Sequence, residues 1–204
     1  MGLSAASPVD VLAPPAARED EAAHATLEQR LARAQAGETG AFRELLRAHQ
    51  NSIYSLALRL LGVREDAEEL AQDVFVALHR HLAAIRSPEH LRFWLRRAVC
   101  HRAIDRLRRR PALPDLPLEA AGDLSSAEPE GDPLLRRALL RLVAQIAPLP
   151  RAVLLLRYQE DLDPLEIAEV LDVPVNTVKS HLKRSLAKLR ERWDAGPAGP
   201  GELP

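Results

Sequence analysis

One predicted helix of this chain combines aromatic rings with a dense set of arginines. Residues 92–110 contain eight arginines against one aspartate, and two rings stand beside three of these arginines at the start: Phe93, Trp94, Arg92, Arg96 and Arg97. Adjacent side chains on a helix point about 100° apart, so both rings cannot be centred on one buried stripe. Rings beside arginines can stack an unpaired base and hold its phosphates. The alternative is that one ring belongs to the core and the arginines form a solvated face.

A second basic helix follows a short helix and a tight turn between residues 162 and 193. Asp163 can cap the short helix, Pro164 suits its first turn, and Glu166 can complete a capping box. Residues 172–174 predict the turn. Apolar residues of the long helix recur at spacings of three and four and predict one buried stripe: Val175, Val178, Leu182, Leu186, Leu189 and Trp193. This pattern is typical of a helix-turn-helix.

The opposite side of the long helix is polar and basic. Six basic residues stand against one acid between positions 175 and 192, and this side carries Asn176, Thr177, Ser180, Lys183, Arg184 and Ala187. In a helix-turn-helix the second helix sets its N-terminal residues against base edges in the major groove, while lysine and arginine attract phosphates. We therefore expect DNA contact here. The alternative is the solvated face of an amphipathic helix in a bundle.

The composition favours packed helices as the scaffold for both basic helices. Hydrophobic residues make up 47% of the 204 residues but aromatic residues only 3%, so the core must be built from leucine, alanine and valine. Helical spacing of apolar residues also predicts helices over 41–62, ending at Gly62, and over 65–86. We predict an all-α fold of two small helical domains, joined by a flexible acidic, proline-rich linker, with the second domain ending in the helix-turn-helix.

Charge and proline content divide the chain further. Residues 41–110 hold 14 basic and 8 acidic side chains, whereas residues 111–135 hold six acids and no base. Ser87 and Pro88 are expected to start the basic helix of the first domain. The predicted units are a disordered leader over 1–25, a first domain over 26–110, a linker over 111–133, a second domain over 134–193 and a disordered tail over 194–204.

The residue pattern gives little support to enzymatic chemistry. Cys100 is the single cysteine, which excludes a disulfide framework and a multi-cysteine metal site. His79, His81 and Glu89 make a poor metal cluster because positions 79 and 81 face apart on a helix. No phosphate-binding loop or nucleophile elbow is present. We expect no cofactor, no metal and no small-molecule substrate, and, without a membrane-spanning run or a signal peptide, a cytoplasmic location.

Three stretches in a fixed order carry a resemblance to a known family. They are DAEELAQDVF (66–75), FWLRRAVCHRAIDRLRRR (93–110) and EIAEVLDVPVNTVKSHLKRSLAKLR (166–190). Their combination resembles the bacterial RNA polymerase sigma factors, specifically the small two-domain extracytoplasmic-function (ECF) group. The resemblance implies a non-catalytic subunit that binds core RNA polymerase, directs it to specific promoters and helps to melt the -10 element. The alternative is a stand-alone helix-turn-helix transcriptional regulator that binds only duplex DNA.

The resemblance also implies a role for each of three surfaces. The β′ clamp helices of polymerase are expected to bind at Asp66, Glu69, Gln72, Asp73 and Val76. The opened -10 strand is expected at Arg92, Phe93, Trp94, Arg96, Arg97 and His101. The -35 duplex is expected at Asn176, Thr177, Lys179, Ser180, Lys183 and Arg184. Further partners implied are the β flap of polymerase and an anti-sigma factor that holds the protein inactive.

The chain departs from the family pattern at several positions. Residues 161–163 stand where a glycine often opens the segment before the helix-turn-helix. Asp172 stands where glycine is common in the turn, and aspartate tolerates a left-handed backbone better than most residues. Arg96 replaces a frequent aromatic residue, and Cys100 with His101 replaces a frequent Arg-Asn pair. The last two changes affect the details of -10 recognition rather than the identity of the domain.

Overall fold

The computed structural model describes residues 26–109 and 133–195, and within these ranges every regular element is a helix. Helix α1 covers residues 26–35, and a short 3-10 helix, Leu82–Ala84, follows α3. The other helices are α2 (Thr39–Leu61), α3 (Arg64–His81), α4 (Pro88–Arg109), α5 (Pro133–Ala144), α6 (Pro148–Tyr158), α7 (Pro164–Leu171) and α8 (Val175–Ala195). The all-α prediction is confirmed for the described residues. The predicted leader and linker lie outside them, as does the predicted tail after residue 195.

Helices α1 to α4 form a front module around α2. The apolar side of α3 is buried at Ala67, Leu70, Ala71, Val74 and Leu78. Leucine supplies most of the large buried side chains of the module: Leu45, Leu56, Leu58, Leu60, Leu61, Leu70, Leu78, Leu91 and Leu95. This agrees with a composition that is poor in aromatic residues. Helix α1 is bonded to the 3-10 turn that follows α3, because the side-chain amide of Gln35 donates to the carbonyl oxygens of Leu82 and Ile85 at 2.9 and 2.7 Å.

The ends of the front helices follow the predicted signals. Gly62 ends α2 with φ at 76°, and its N–H donates to the carbonyl oxygen of Leu58. A left-handed backbone is free of steric cost only for glycine, so this residue fixes where α2 stops. At the start of α4 the hydroxyl of Ser87 accepts from the N–H of His90 at 3.1 Å, as expected for a serine cap before Pro88.

Helices α5 to α8 form a rear module around α6. All six residues from Arg151 to Leu156 are buried, so α6 has no solvent-facing side over this stretch. A helix that is buried all round must be covered by neighbours on every side. Helices α7 and α8 of its own module cover part of it, and α2 and α4 of the front module cover the rest. One continuous apolar core therefore runs through both modules.

The helix-turn-helix has the predicted local geometry. Asp163 accepts from the N–H groups of Leu165 and Glu166 at 2.7 and 2.9 Å, and the Glu166 carboxylate accepts from the N–H of Asp163 at 2.7 Å. The capping box is thus complete. Asp172 takes the left-handed conformation in the turn, with φ at 57° and ψ at 51°. The expectation that aspartate can replace the usual glycine there is confirmed.

Some element boundaries and one stripe residue differ from prediction. The third helix ends at His81, and residues up to Ala84 form a 3-10 turn instead of a continuation to residue 86. Helix α8 reaches Ala195, which is two residues beyond the predicted end of the domain. Leu186 is 40% exposed, whereas Ser185 is buried. The buried side of α8 is therefore centred on positions 178, 182, 185 and 189, since these also have spacings of four, three and four.

The capping box should contribute measurably to the stability of the protein. Asp163→Ala removes the carboxylate oxygen that accepts from both Leu165 and Glu166 in the first turn of α7, so we expect the free energy of unfolding to fall by about 1 kcal/mol. Urea unfolding followed by circular dichroism measures it. Asp161→Ala is not a fair comparison because Asp161 has positive φ. Asp194→Ala, at the exposed end of α8, is the better control and should leave stability within about 0.5 kcal/mol.

Candidate nucleic-acid and polymerase interfaces

Helix α8 presents its predicted reading residues to solvent. Asn176, Lys179, Ser180, Lys183 and Arg184 are exposed, and Thr177 is half-buried. The helix is held by Val178, which is fully buried, with Val175 and Leu182 packed against the same core. Val178 points into the core, and the side of α8 opposite to it carries Asn176, Ser180, Lys183 and Arg184, with Thr177 and Lys179 on the flanks of that side. The six predicted side chains thus belong to one surface at the start of the helix, of which five are exposed and Thr177 is half-buried.

The two rings at the start of α4 are both half-buried. Phe93 and Trp94 pack against the edge of the core, and the Trp94 ring lies 5.6 Å from the ring of His81. Neither ring is fully in the core, as expected for adjacent helix positions. Arg92 is exposed and forms a 3.0 Å ion pair with Glu89 one turn earlier. This end of α4 therefore offers partly open rings and one accessible guanidinium group.

The next three residues of the predicted strand-binding set contact the rear module. Arg96 donates to the Glu160 carboxylate at 2.8 Å. Arg97 donates to the carbonyl oxygen of Glu169 at 2.8 Å and pairs with Asp172 at 3.4 Å. The His101 ring lies 3.1 Å from the carbonyl oxygen of Val170. Residues expected to form one nucleic-acid surface are thus divided between a solvent-facing part and a part covered by α7 and its turn.

His49 of α2 belongs to the same surroundings, although the sequence pattern did not indicate it. Its pKa is lowered from the ordinary 6.5, first by burial and then by the positive charges of Arg92 and Arg96. Burial disfavours the charged imidazolium, and each neighbouring guanidinium adds repulsion. Burial is the larger cause of the shift, and the two guanidinium groups add a positive local potential at the start of α4.

The predicted polymerase-binding face of α3 is exposed but partly paired within the chain. Arg106 of α4 forms ion pairs with Glu69 at 3.2 Å and with Asp73 at 2.7 Å. Val76, one turn further on, is 54% exposed, and Gln72 is exposed as well. Asp66 is half-buried, and its carbonyl oxygen accepts from Arg106 at 3.4 Å. Four of the five predicted residues therefore share an accessible face, and Arg106, which was not predicted, holds two of its carboxylates.

Arg151 is a further residue that sequence reasoning missed. It is buried in α6 and its guanidinium group donates to the carbonyl oxygens of Ala144, Ile146 and, across the module boundary, Leu60 at 2.6 Å. Burial lowers its pKa to about 10. The carbonyl groups at the ends of α2 and α5 lack helical partners, so a buried guanidinium can satisfy several of them together. The only sequence feature that could have indicated this buried role is the position of Arg151 next to an apolar run.

The remaining chemical candidates show no catalytic arrangement. Burial raises the pKa of the Cys100 thiol to about 12, with a further contribution from Glu160, so the thiolate form is negligible near neutral pH. Among the described residues no group of three or more potential metal ligands occurs. Nor is any helix in the described ranges long and apolar enough to cross a membrane.

Comparisons with known proteins agree with this arrangement. The sigma-70 region 2 family matches residues 45–111, which cover most of the front module, and the sigma-70 region 4 family matches residues 136–189 of the rear module. The chain is 28% identical over 179 residues to the ECF sigma factor SigW of Bacillus subtilis, covering 81% of this chain and 96% of the relative. It is 32% identical over 156 residues to SigM of Mycobacterium tuberculosis, covering 76% and 78%.

The fold also matches a solved structure. The structure of CnrH in complex with the cytosolic domain of CnrY aligns with a TM-score of 0.61 at 24% identity, covering 82% of this chain and 97% of that chain. An α-helical fold with a helix-turn-helix and two basic helices defines a DNA-binding transcription protein. The chain belongs to the ECF group of the sigma-70 family of RNA polymerase sigma factors.

Membership decides between the two functions left open by the residues alone. A sigma factor directs RNA polymerase to promoters, and sigma factors are in general non-catalytic initiation factors. A stand-alone regulator predicts a ligand-binding or dimer-forming front half and gives no reason for eight arginines beside aromatic rings, whereas region 2 accounts for residues 45–111.

The lowered pKa of His49 gives a test of the local potential. A proton NMR titration should place the midpoint of His49 below 6.5, and Arg96→Gln should raise it because one repelling charge is removed. Burial remains, so the pKa should stay below the ordinary value. Arg108→Gln, about 18 Å further along α4 at 1.5 Å per residue, should leave it unchanged. In the unfolded chain His49 has the ordinary pKa of 6.5 and is protonated at a higher pH than in the folded protein. The free energy of unfolding should therefore fall as the pH drops below 6.5.

Proposed function

We propose that this sigma factor holds its promoter with two separate surfaces while a third binds polymerase. The start of α8 reads the -35 duplex with Asn176, Thr177, Lys179, Ser180, Lys183 and Arg184. The start of α4 holds the opened -10 strand, with Phe93 and Trp94 stacking bases and Arg92, Arg96, Arg97 and His101 binding its backbone. The observation that carries this assignment is the exposed polar set on α8 anchored by buried Val178.

Opening the -10 element costs a few kcal/mol per unstacked base, which the protein must offset. Stacking of a base on an aromatic ring contributes about 1–3 kcal/mol, and guanidinium–phosphate contacts add to it. Half-buried rings suit this role because the core fixes their orientation while one side stays open. The chain itself makes and breaks no covalent bond in this mechanism.

The α3 face is the proposed site for the β′ clamp helices. Its accessible members are Glu69, Gln72, Asp73 and Val76, which combine carboxylates with one exposed apolar side chain. An apolar residue ringed by polar ones is a common arrangement at the centre of a protein interface. The rear module would bind the β flap. We further propose a cytoplasmic location and an anti-sigma partner, for which the fold match to CnrH bound to the cytosolic domain of CnrY gives support.

The strand-binding assignment predicts a defect confined to promoter opening. Trp94→Ala should lower the yield of open complexes, measured by permanganate reactivity of -10 thymines, by roughly tenfold, since one stacked base is worth about 1–3 kcal/mol. Binding to core polymerase should stay as in the wild type. Trp193→Ala removes the chain's only other tryptophan, from the end of α8, and should open promoters normally. Equal opening by both variants would contradict the assignment.

The reading assignment predicts a base-specific effect on α8. Arg184→Ala should weaken promoter binding by about 1–3 kcal/mol and relax preference at one -35 position if the guanidinium reads a base. If it touches only phosphate, all sequences should weaken alike. Arg141→Ala removes the same charge from an exposed position on α5 and should have little effect. A holoenzyme titration against a library of -35 variants measures both quantities, and no change for Arg184→Ala or Lys183→Ala would disprove the placement.

A further inference from the structure

His81 extends the ring surface that Trp94 forms at the start of α4. The two ring centroids are 5.6 Å apart and the ring planes differ by 35°, which is within the usual range for aromatic side chains in contact. Trp94 is half-buried, whereas His81, the last residue of α3, is exposed. A base that stacks on the open part of Trp94 therefore has its edge beside the imidazole ring of His81.

The hydrogen bonding of His81 determines which ring nitrogen can meet a ligand. Nδ1 lies 3.1 Å from the carbonyl oxygen of Ala77. A carbonyl oxygen can only accept a hydrogen bond, so Nδ1 carries the proton of the neutral ring and Nε2 has the free lone pair. Within residues 26–109 and 133–195 no hydrogen bond occupies Nε2. His81 thus offers one hydrogen-bond acceptor at an exposed position.

Contacts on two sides hold this acceptor in place. The hydrogen bond from Nδ1 to Ala77 fixes the orientation of the ring on its own helix. The turn that follows His81 is held from α1, because the Gln35 amide donates to the carbonyl oxygens of Leu82 and Ile85. A side chain that distinguishes bases must keep one geometry before the base arrives, and such support from neighbouring groups provides it.

An acceptor at this position distinguishes the four bases by chemistry. Adenine and cytosine carry an amino group, which is a donor, where guanine and thymine carry a carbonyl oxygen. The lone pair of Nε2 can accept from the amino group. Beside a carbonyl oxygen it faces a second acceptor, and both groups then lack a hydrogen-bond partner. An adenine or a cytosine is therefore favoured over the other two bases.

We propose that His81 is a specificity-determining residue of the strand-binding site, whose Nε2 accepts a hydrogen bond from the amino group of an adenine or cytosine stacked on Trp94. This inference rests on the proposed function of α4 and adds to it a base class at one position of the -10 strand. Trp94 supplies stacking, which all four bases share, and His81 supplies the choice between them. A role limited to ending α3 changes stability but not base preference.

Removal of the amino group from the DNA tests the proposed hydrogen bond directly. In a promoter that the holoenzyme opens, each non-template -10 position is made in turn adenine, purine, cytosine or 2-pyrimidinone. Purine and 2-pyrimidinone lack only the amino group of adenine and cytosine. With the wild-type protein, open complexes should fall roughly fivefold at one position, which is the effect of one hydrogen bond. The measurement is made at about pH 8, where imidazole side chains are ordinarily neutral.

Two substitutions separate the acceptor from the ring. His81→Phe keeps a ring beside Trp94 but has no acceptor, so it should open promoters equally well with the natural base and with its analogue at that position. The comparison is a double-mutant cycle between one protein atom and one base group. His81→Gln loses the ring but carries an amide oxygen that can replace Nε2 as the acceptor, and it should recover part of the preference.

His79→Phe is the matched control. His79 is also exposed and lies two positions earlier on α3, but its ring meets the Phe42 ring edge-on at 5.1 Å. Two positions correspond to about 200° of rotation around the helix, so His79 faces away from Trp94. This variant should respond to the analogues as the wild type does. Circular dichroism verifies that each variant is folded.

The outcomes separate this inference from the function beneath it. If no position responds to loss of the amino group in the wild type, or if His81→Phe responds as the wild type does, His81 does not read a base. The proposed function survives that result if Trp94→Ala fails to open promoters. If Trp94→Ala opens promoters normally, the α4 assignment fails, and the role of His81 fails with it.

Discussion

The apolar surface of α6 is the constraint on which the structure depends. Six consecutive residues from Arg151 to Leu156 are buried, and α7 and α8 alone do not surround them. Leaving such a helix uncovered would cost about 25 cal/mol for every Å² of apolar surface exposed. The front module covers the rest with α2 and α4. The same burial that completes the core therefore brings α7 against the arginines of α4.

Arg151 makes this packing specific as well as favourable. A guanidinium group in an apolar core is costly unless every donor has an acceptor, and here the acceptors are carbonyl oxygens at helix ends. One of them belongs to Leu60 in the other module. If α6 were shifted along α2, the buried guanidinium group of Arg151 would lose a hydrogen-bond acceptor. The hydrogen bonds of Arg151 therefore fix the relative position of the two modules, while the buried apolar area supplies most of the stabilisation.

Charge is arranged differently on the three surfaces proposed to bind DNA and polymerase. On α8, the basic side chains of the predicted reading set, Lys179, Lys183 and Arg184, are exposed and form no ion pair with any residue that the structure describes. On α4 three arginines have carboxylate partners outside their own helix: Arg96 pairs with Glu160, Arg97 with Asp172, and Arg106 with both Glu69 and Asp73. A pre-paired arginine exchanges one partner for another on binding, so its contribution to affinity is a difference between two sets of contacts.

The amino-acid sequence by itself determined the helices, their caps and the family. The capping box of Asp163 and Glu166, the glycine end of α2 and the left-handed Asp172 are local, because each depends on residues within one turn of helix. The exposed polar side of α8 was also predictable, since the apolar stripe that contains the buried Val178 leaves the opposite side to solvent.

Only the tertiary structure decided which residues meet across the modules. Arg96 and Glu160 are 64 positions apart, and Arg151 and Leu60 are 91 apart, so no periodicity relates them. The wrong prediction that Leu186 is buried also reflects long-range packing. An amphipathic helix can bury a similar apolar area at several rotations about its axis, and the helices packed against it determine which rotation occurs. Local patterns specify a helix and its polar side, whereas pairing between distant helices depends on the shape and charge of both.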